Sequence, residues 1–158
     1  MKVQNINPSN FKMNKTNKNN KLSHLKQVNF KGGLPNNFGE VLAGKLYRGA
    51  QPVGEAIAAL KAKGITAILD LRDDFDNIES AAAASNGIKY TKASDSTIEM
   101  FSFIDEQLAS GQVLYVHCTY GKERTGLVIA AHQLESGIPR EQVIDDYIRY
   151  GGKNSDLI

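Results

Sequence analysis

The spacing of apolar positions changes several times between Phe38 and Tyr150, and each change marks an element. Phe38 to Arg48 carries short apolar runs on either side of Ala43-Gly44 and predicts two short strands around a turn, closed by Gln51-Pro52. From Glu55 to Lys63 the apolar residues at 56, 57, 59 and 60 follow helical spacing, and Gly64 stands where a helix stops. Ile65 to Leu71 is an apolar run of buried-strand type. The alanine-rich stretch Asn77 to Ser85 predicts a helix ended by Asn86-Gly87, and Ile88 to Thr91 a short strand. Ser96 with Glu99 makes a capping-box pattern for a helix to about Ala109, with Ser110-Gly111 as its stop. Val113 to Val116 is apolar without alternation and predicts a central parallel strand. Leu127 to Ala131 opens a buried helix reaching Glu135. Pro139 suits the first turn of a last helix with Val143, Ile144, Tyr147 and Ile148 on one face.

Strands alternating with helices predict an α/β fold, with a mostly parallel central sheet flanked by helices. Ligands in such sheets bind beyond the carboxyl ends of the strands. Residues 1–36 are rich in Asn and Lys and show neither period, so a disordered leader is expected there, and one folded domain over 37–158. Charge divides in the same way. Residues 1–39 hold seven lysines and no acid, while residues 40–158 hold twelve Lys and Arg against seventeen Asp and Glu. The folded part lacks the basic stripe that nucleic acid requires, and only the leader carries the charge for a weak contact with an acidic surface. With no apolar run of transmembrane length and no signal-type N-terminus, a cytoplasmic monomer is expected. One cysteine excludes an intrachain disulfide and fits a reducing compartment.

That cysteine carries the chemistry. Cys118 follows the central strand directly, and Arg124 lies six residues on, before an apolar helix. A loop closing onto a helix N-terminus gathers unpaired N–H groups at one point, and the dipole adds partial positive charge, which makes an anion cradle. Gly121 allows the tight curl, and the planar guanidinium of Arg124 can grip two phosphate oxygens. The same surroundings lower a thiol pKa, which turns Cys118 into a nucleophile. His117 should face away from the thiol, since successive strand side chains alternate, and His132 reads as a packed histidine. No His and Cys spacing suggests a metal site, and no cofactor is expected.

The run His117-Cys118-Thr119-Tyr120-Gly121-Lys122-Glu123-Arg124-Thr125-Gly126 fits H-C-x-x-G-x-x-R-T-G and resembles the phosphate-binding loop of the protein-tyrosine and dual-specificity phosphatases. Asn37-Phe38 with Val41, Leu46 to Pro52, Ile68 to Arg72 and Asp145-Asp146-Tyr147 are similar to segments of the plant and fungal atypical dual-specificity phosphatases and their small bacterial relatives. The resemblance implies a cysteine-dependent phosphatase fold and metal-independent hydrolysis of phosphomonoesters, on proteins or small molecules, through a cysteinyl-phosphate. Some members act on inositol pyrophosphates. It assigns attack to Cys118, charge stabilisation to Arg124, help to the leaving sulfur to Thr125, and substrate contacts to Thr119, Tyr120, Gly121, Lys122 and Gly126. The general acid is expected to be Asp95, in the loop before the third helix, or Glu123, inside the cysteine loop. Thr119 and Tyr120 stand where the inositol-pyrophosphate members are basic, whereas Lys122 matches phosphoinositide-active relatives. A phosphoinositide or inositol-phosphate phosphatase and a non-catalytic phosphate-binding module are the alternatives.

Overall fold

The computed structural model describes residues 33–74, 77–94 and 97–153. Its elements run β1 (Gly39–Leu42), β2 (Leu46–Ala50), α1 (Ala56–Ala62), β3 (Ala67–Asp70), α2 (Asn77–Ser85), β4 (Lys89–Lys92), α3 (Thr97–Ala109), β5 (Leu114–Cys118), α4 (Glu123–Glu135) and α5 (Arg140–Arg149). The five strands lie in the order β1-β2-β5-β3-β4. Only the β1–β2 pair is antiparallel, so the expected mostly parallel α/β sheet is what forms.

Alternation along β5 divides the core. Leu114, Val116 and Cys118 point to one face with Leu46 and Leu69, and this face is covered by Ile104 of α3 and Ile129 of α4. Tyr115 points to the other face with Tyr47 and Ile68, under Ile57 and Leu60 of α1 and Ala83 of α2. In both layers each buried Leu or Ile contributes about 1.5–3 kcal/mol. Helices on both faces leave the carboxyl ends of the parallel strands as the open edge, and Cys118 sits at one of them.

Three boundaries differ from those the pattern predicts. Leu34 packs on the second core layer and Asn36 O accepts the Ala50 N–H at 2.8 Å, so residues 33–36 belong with the domain. The disorder expected of residues 1–32 falls outside the described residues, as do Asp95 and Ser96. β2 runs on to Ala50, because parallel pairing with β5 continues to Ala50 opposite Cys118. α4 begins at Glu123, one turn before Leu127. Gly121 reverses the chain at φ +69°, Lys122 caps, and the Gly126 N–H already bonds Lys122 O at 3.0 Å. No helix among the described residues is long and apolar enough to cross a membrane.

Candidate active site

Cys118 is a free cysteine, 4% exposed, at the end of the central strand. The chain leaves it through exposed Thr119 and Tyr120, curls at Gly121 and enters α4, so Glu123, Arg124 and Thr125 form the helix's first turn. Gly121 is required twice over. Its φ is left-handed, and a Cβ there would collide with the backbone of Gly49 and Ala50.

The electrostatics favour the thiolate. Burial pushes the Cys118 thiol up, but hydrogen bonds from the Thr125 hydroxyl and from the backbone N–H groups of Thr125, Gly121 and Tyr120 outweigh it, and the pKa ends below its ordinary value. Apart from that sulfur, the fully buried Thr125 hydroxyl has no hydrogen-bond partner. An acidic thiol ringed by inward N–H groups at a helix N-terminus can bind an oxyanion and attack its central atom.

The remaining predicted residues are distributed unevenly around this centre. Arg124 Nη1 donates to Leu71 O at 3.2 Å and lies 3.4 Å from Asp73 Oδ2, which holds it against the connection after β3. Lys122 and Glu123 are exposed at the loop's second half, and Gly151 lies beside the aliphatic stem of Lys122. Gly126 is buried, its N–H is engaged by Lys122 O, and its α-carbon faces the Tyr147 ring. That position lets α5 pack closely against α4. Asp95 lies outside the described residues, so of the two acid candidates the described site contains Glu123.

His117 faces away from the thiol, as strand alternation requires. Its Nε2 lies 2.7 Å from Glu79 Oε1 and its Nδ1 3.1 Å from Cys118 O. Both ring nitrogens are thus engaged, one by the Glu79 carboxylate and one by the Cys118 carbonyl, which fixes the ring in place. Arg72 joins the same cluster, with Nη2 2.8 Å from Asp70 Oδ2 and 2.9 Å from Glu79 Oε2, while the Tyr90 hydroxyl donates to Asp70 at 2.6 Å. Burial pushes the Asp70 carboxyl up, but the Arg72 hydrogen bonds, His117 and Tyr90 hold it below its ordinary value. Asp70, Glu79 and His117 offer metal-type donor atoms within 4.8 Å of one another, a grouping no sequence spacing suggested. The Arg72 guanidinium takes both carboxylates, so the cluster is a buried ion-pair network that fixes the strand end carrying Cys118. His132 lies 3.0 Å from Asp105, a pairing between α4 and α3.

Two further residues reach the loop from the other side of the sequence. Arg48, 1% exposed, donates from Nη2 to Gly121 O at 2.8 Å, and its guanidinium lies 4.2 Å from the Tyr150 ring centroid. Burial lowers its pKa to about 10, which leaves it charged at neutral pH. Asn37 donates from Nδ2 to Tyr120 O at 2.9 Å. The period-2 pattern of β2 makes Arg48 an inward position flanked by Leu46 and Ala50, a signal that a buried charge belongs there.

Residues 89–150, which contain the whole loop, match the family model described as the tyrosine phosphatase family. Among solved structures, the chain is similar to the core catalytic domain of the PP-IP phosphatase Siw14 from S. cerevisiae, with a TM-score of 0.66 and 21% identity over 78% of this chain and 82% of that one. It is similar to P. aeruginosa TpbA, with a TM-score of 0.61 and 18% identity over 75% and 78%. PTPMT1 in complex with PI(5)P gives a TM-score of 0.58 and 18% identity over 72% and 86%. No curated protein sequence matches the chain significantly. Residues 89–150 thus carry a match to the tyrosine phosphatase family, and the fold is the one these solved phosphatases share.

Proposed function

We propose that the chain hydrolyses phosphomonoesters through a cysteinyl-phosphate and works as a dual-specificity-type phosphatase on phosphorylated proteins or small phosphomonoesters. The observation that carries this reading is the thiol of Cys118, held below its ordinary pKa by N–H and O–H donors that converge on one sulfur. In the first step the Cys118 thiolate attacks phosphorus, the bond to the leaving oxygen breaks, and that oxygen takes a proton from a carboxyl group, Asp95 or Glu123. Arg124 swings from Leu71 and Asp73 to the equatorial oxygens, where its charge matches that of the transition state. In the second step the same carboxylate takes a proton from water, the water oxygen bonds phosphorus, and the S–P bond breaks to return the thiolate, which Thr125 stabilises. No step requires a metal or cofactor.

Turnover of an aryl phosphate, unchanged by chelator and lost in Cys118→Ser, is the expected result; turnover that survives in that variant removes the mechanism. Asp95→Asn and Glu123→Gln, compared on poor leaving groups, identify the acid by which one slows. A second reading, phosphoinositide or inositol-phosphate hydrolysis, draws support from exposed Lys122 in the loop. Against a heavily phosphorylated substrate stand Thr119, Tyr120 and the carboxylate of Asp73 beside Arg124. Rates on a phosphopeptide panel and a phosphoinositide panel separate the two. Stoichiometric phosphate binding without turnover would instead indicate a binding module.

A further inference from the structure

Three consecutive carbonyls of the cysteine loop are all held from one side. Thr119 O accepts the Gln51 N–H at 3.2 Å, Tyr120 O accepts Asn37 Nδ2 at 2.9 Å, and Gly121 O accepts Arg48 Nη2 at 2.8 Å. In a trans peptide the C=O and the following N–H point in opposite directions. Fixing these three carbonyls toward residues 37–51 therefore turns the N–H groups of Tyr120, Gly121 and Lys122 the other way. Two of those three, Tyr120 and Gly121, hydrogen-bond the Cys118 sulfur, which is the direction the peptide geometry requires.

The donors are themselves built in. Asn37 is the one described non-glycine residue with positive φ, at +52°, a conformation asparagine tolerates better than most residues. Its neighbour Phe38 stacks on Tyr47 and Tyr115, with ring centroids 5.4 and 6.0 Å apart. Gly49 lets this segment cross β2, since a Cβ there would meet Asn36 O and Phe38 Cα at 3.2 Å. Arg48 is buried on the Cys118 face of the sheet with Nε lacking a hydrogen-bond partner, an arrangement that packing alone would not favour.

We propose that Asn37 and Arg48 are positioning residues of the phosphate-binding loop, holding the carbonyls of Tyr120 and Gly121 outward so that the N–H groups of Gly121 and Lys122 face the bound oxyanion. Without them the two peptide planes are free to rotate, and a rotated plane presents a carbonyl oxygen to an anion. The inference rests on the phosphate-binding reading of the loop, but its test needs no turnover.

The experiment measures tungstate affinity, by protection of Cys118 from iodoacetamide, and the pH profile of that alkylation. The proteins are the full chain and its Asn37→Ala, Asn37→Asp, Arg48→Lys and Arg48→Met variants. Asn37 is only partly buried and tests the idea if Arg48→Met does not fold. Asn37→Ala should weaken tungstate about three- to tenfold, the worth of one net hydrogen bond, and move the alkylation profile to higher pH. Asn37→Asp should lose more than Asn37→Ala, because a carboxylate cannot donate and faces the Tyr120 carbonyl. Arg48→Lys, which keeps a charged donor, should recover part of what Arg48→Met loses. Unchanged affinity and profile in Asn37→Ala overturn the proposal, and so does a wild-type loop that fails to bind tungstate. Losses that track only the thermal midpoint, equal for Asn37→Ala and Asn37→Asp, also overturn it, since they mark a packing role. Retained turnover in Cys118→Ser would defeat the catalytic reading while leaving this measurement intact.

Discussion

Thr125→Val isolates the hydroxyl that faces the nucleophile. The site is fully buried, and the hydroxyl has no partner apart from the Cys118 sulfur. Valine replaces the oxygen by a methyl group of nearly the same size, so no cavity opens and no other bond is broken. What is lost is one hydrogen bond to a thiolate, worth about 1.5–3 kcal/mol for a charged acceptor. At about 1.4 kcal/mol per factor of ten, the thiolate fraction at a fixed pH below the thiol pKa falls roughly ten- to a hundredfold. The assay is the rate of Cys118 alkylation by iodoacetamide against pH, the only cysteine making the signal unambiguous. The plateau at high pH should be unchanged and the midpoint should move up. Linkage supplies a second reading of the same bond. Because the folded-state thiol pKa lies below the unfolded one, its contribution to stability is present above the unfolded value and disappears as pH falls through the folded one. Thr125→Val should shrink that pH dependence without lowering stability at acid pH. A profile that superimposes on wild type would refute the reasoning, since the loop amides alone would then account for the lowered thiol.

Three other outcomes test the surroundings. Gly121→Ala should abolish turnover of an aryl phosphate; the left-handed conformation costs a non-glycine residue about 1–2 kcal/mol, and the collision with Gly49 adds to it, so measurable activity would show that the loop has room to shift. Glu79→Ala removes one carboxylate from the buried Arg72 guanidinium and the partner of His117 Nε2, and should cost about 3–5 kcal/mol in urea unfolding; a loss below about 1 kcal/mol would mean the network is not holding the strand end. The folded-state pKa of Asp70 is lowered, so its contribution is present above the ordinary carboxylate range and lost as pH falls through the folded value. Asp70→Asn should flatten the acid limb of stability against pH, and an unaltered limb would contradict the assignment.

The pattern of apolar positions was sufficient for the strands and helices because each helix ends in a glycine stop such as Gly64 or Gly87, and because β3 and β5 are apolar runs buried on both faces. The start of α4 was less legible. Glu123, Arg124 and Thr125 carry no apolar period, and the turn at Lys122 has no side-chain cap to announce it. Glu79 reads as a solvent residue in an alanine-rich helix, yet it precedes buried Ala83 by four residues and so shares its inward face. Its partner His117 is 38 positions away, and no local pattern connects them. Cys118 and Thr125 could be found because one short loop brings them together. Asn37 and Arg48 lie more than seventy residues before the loop they touch, and only the parallel register of β2 on β5 places them there.

The most direct test of the account is rapid-quench mass spectrometry of the chain during turnover of an aryl phosphate, with peptide mapping of the phosphorylated residue. A transient phosphoryl adduct on Cys118, accumulating in the general-acid variant that slows turnover and absent in Cys118→Ser, is the predicted result. Turnover with no adduct on Cys118, or with an adduct on another residue, would contradict the central claim.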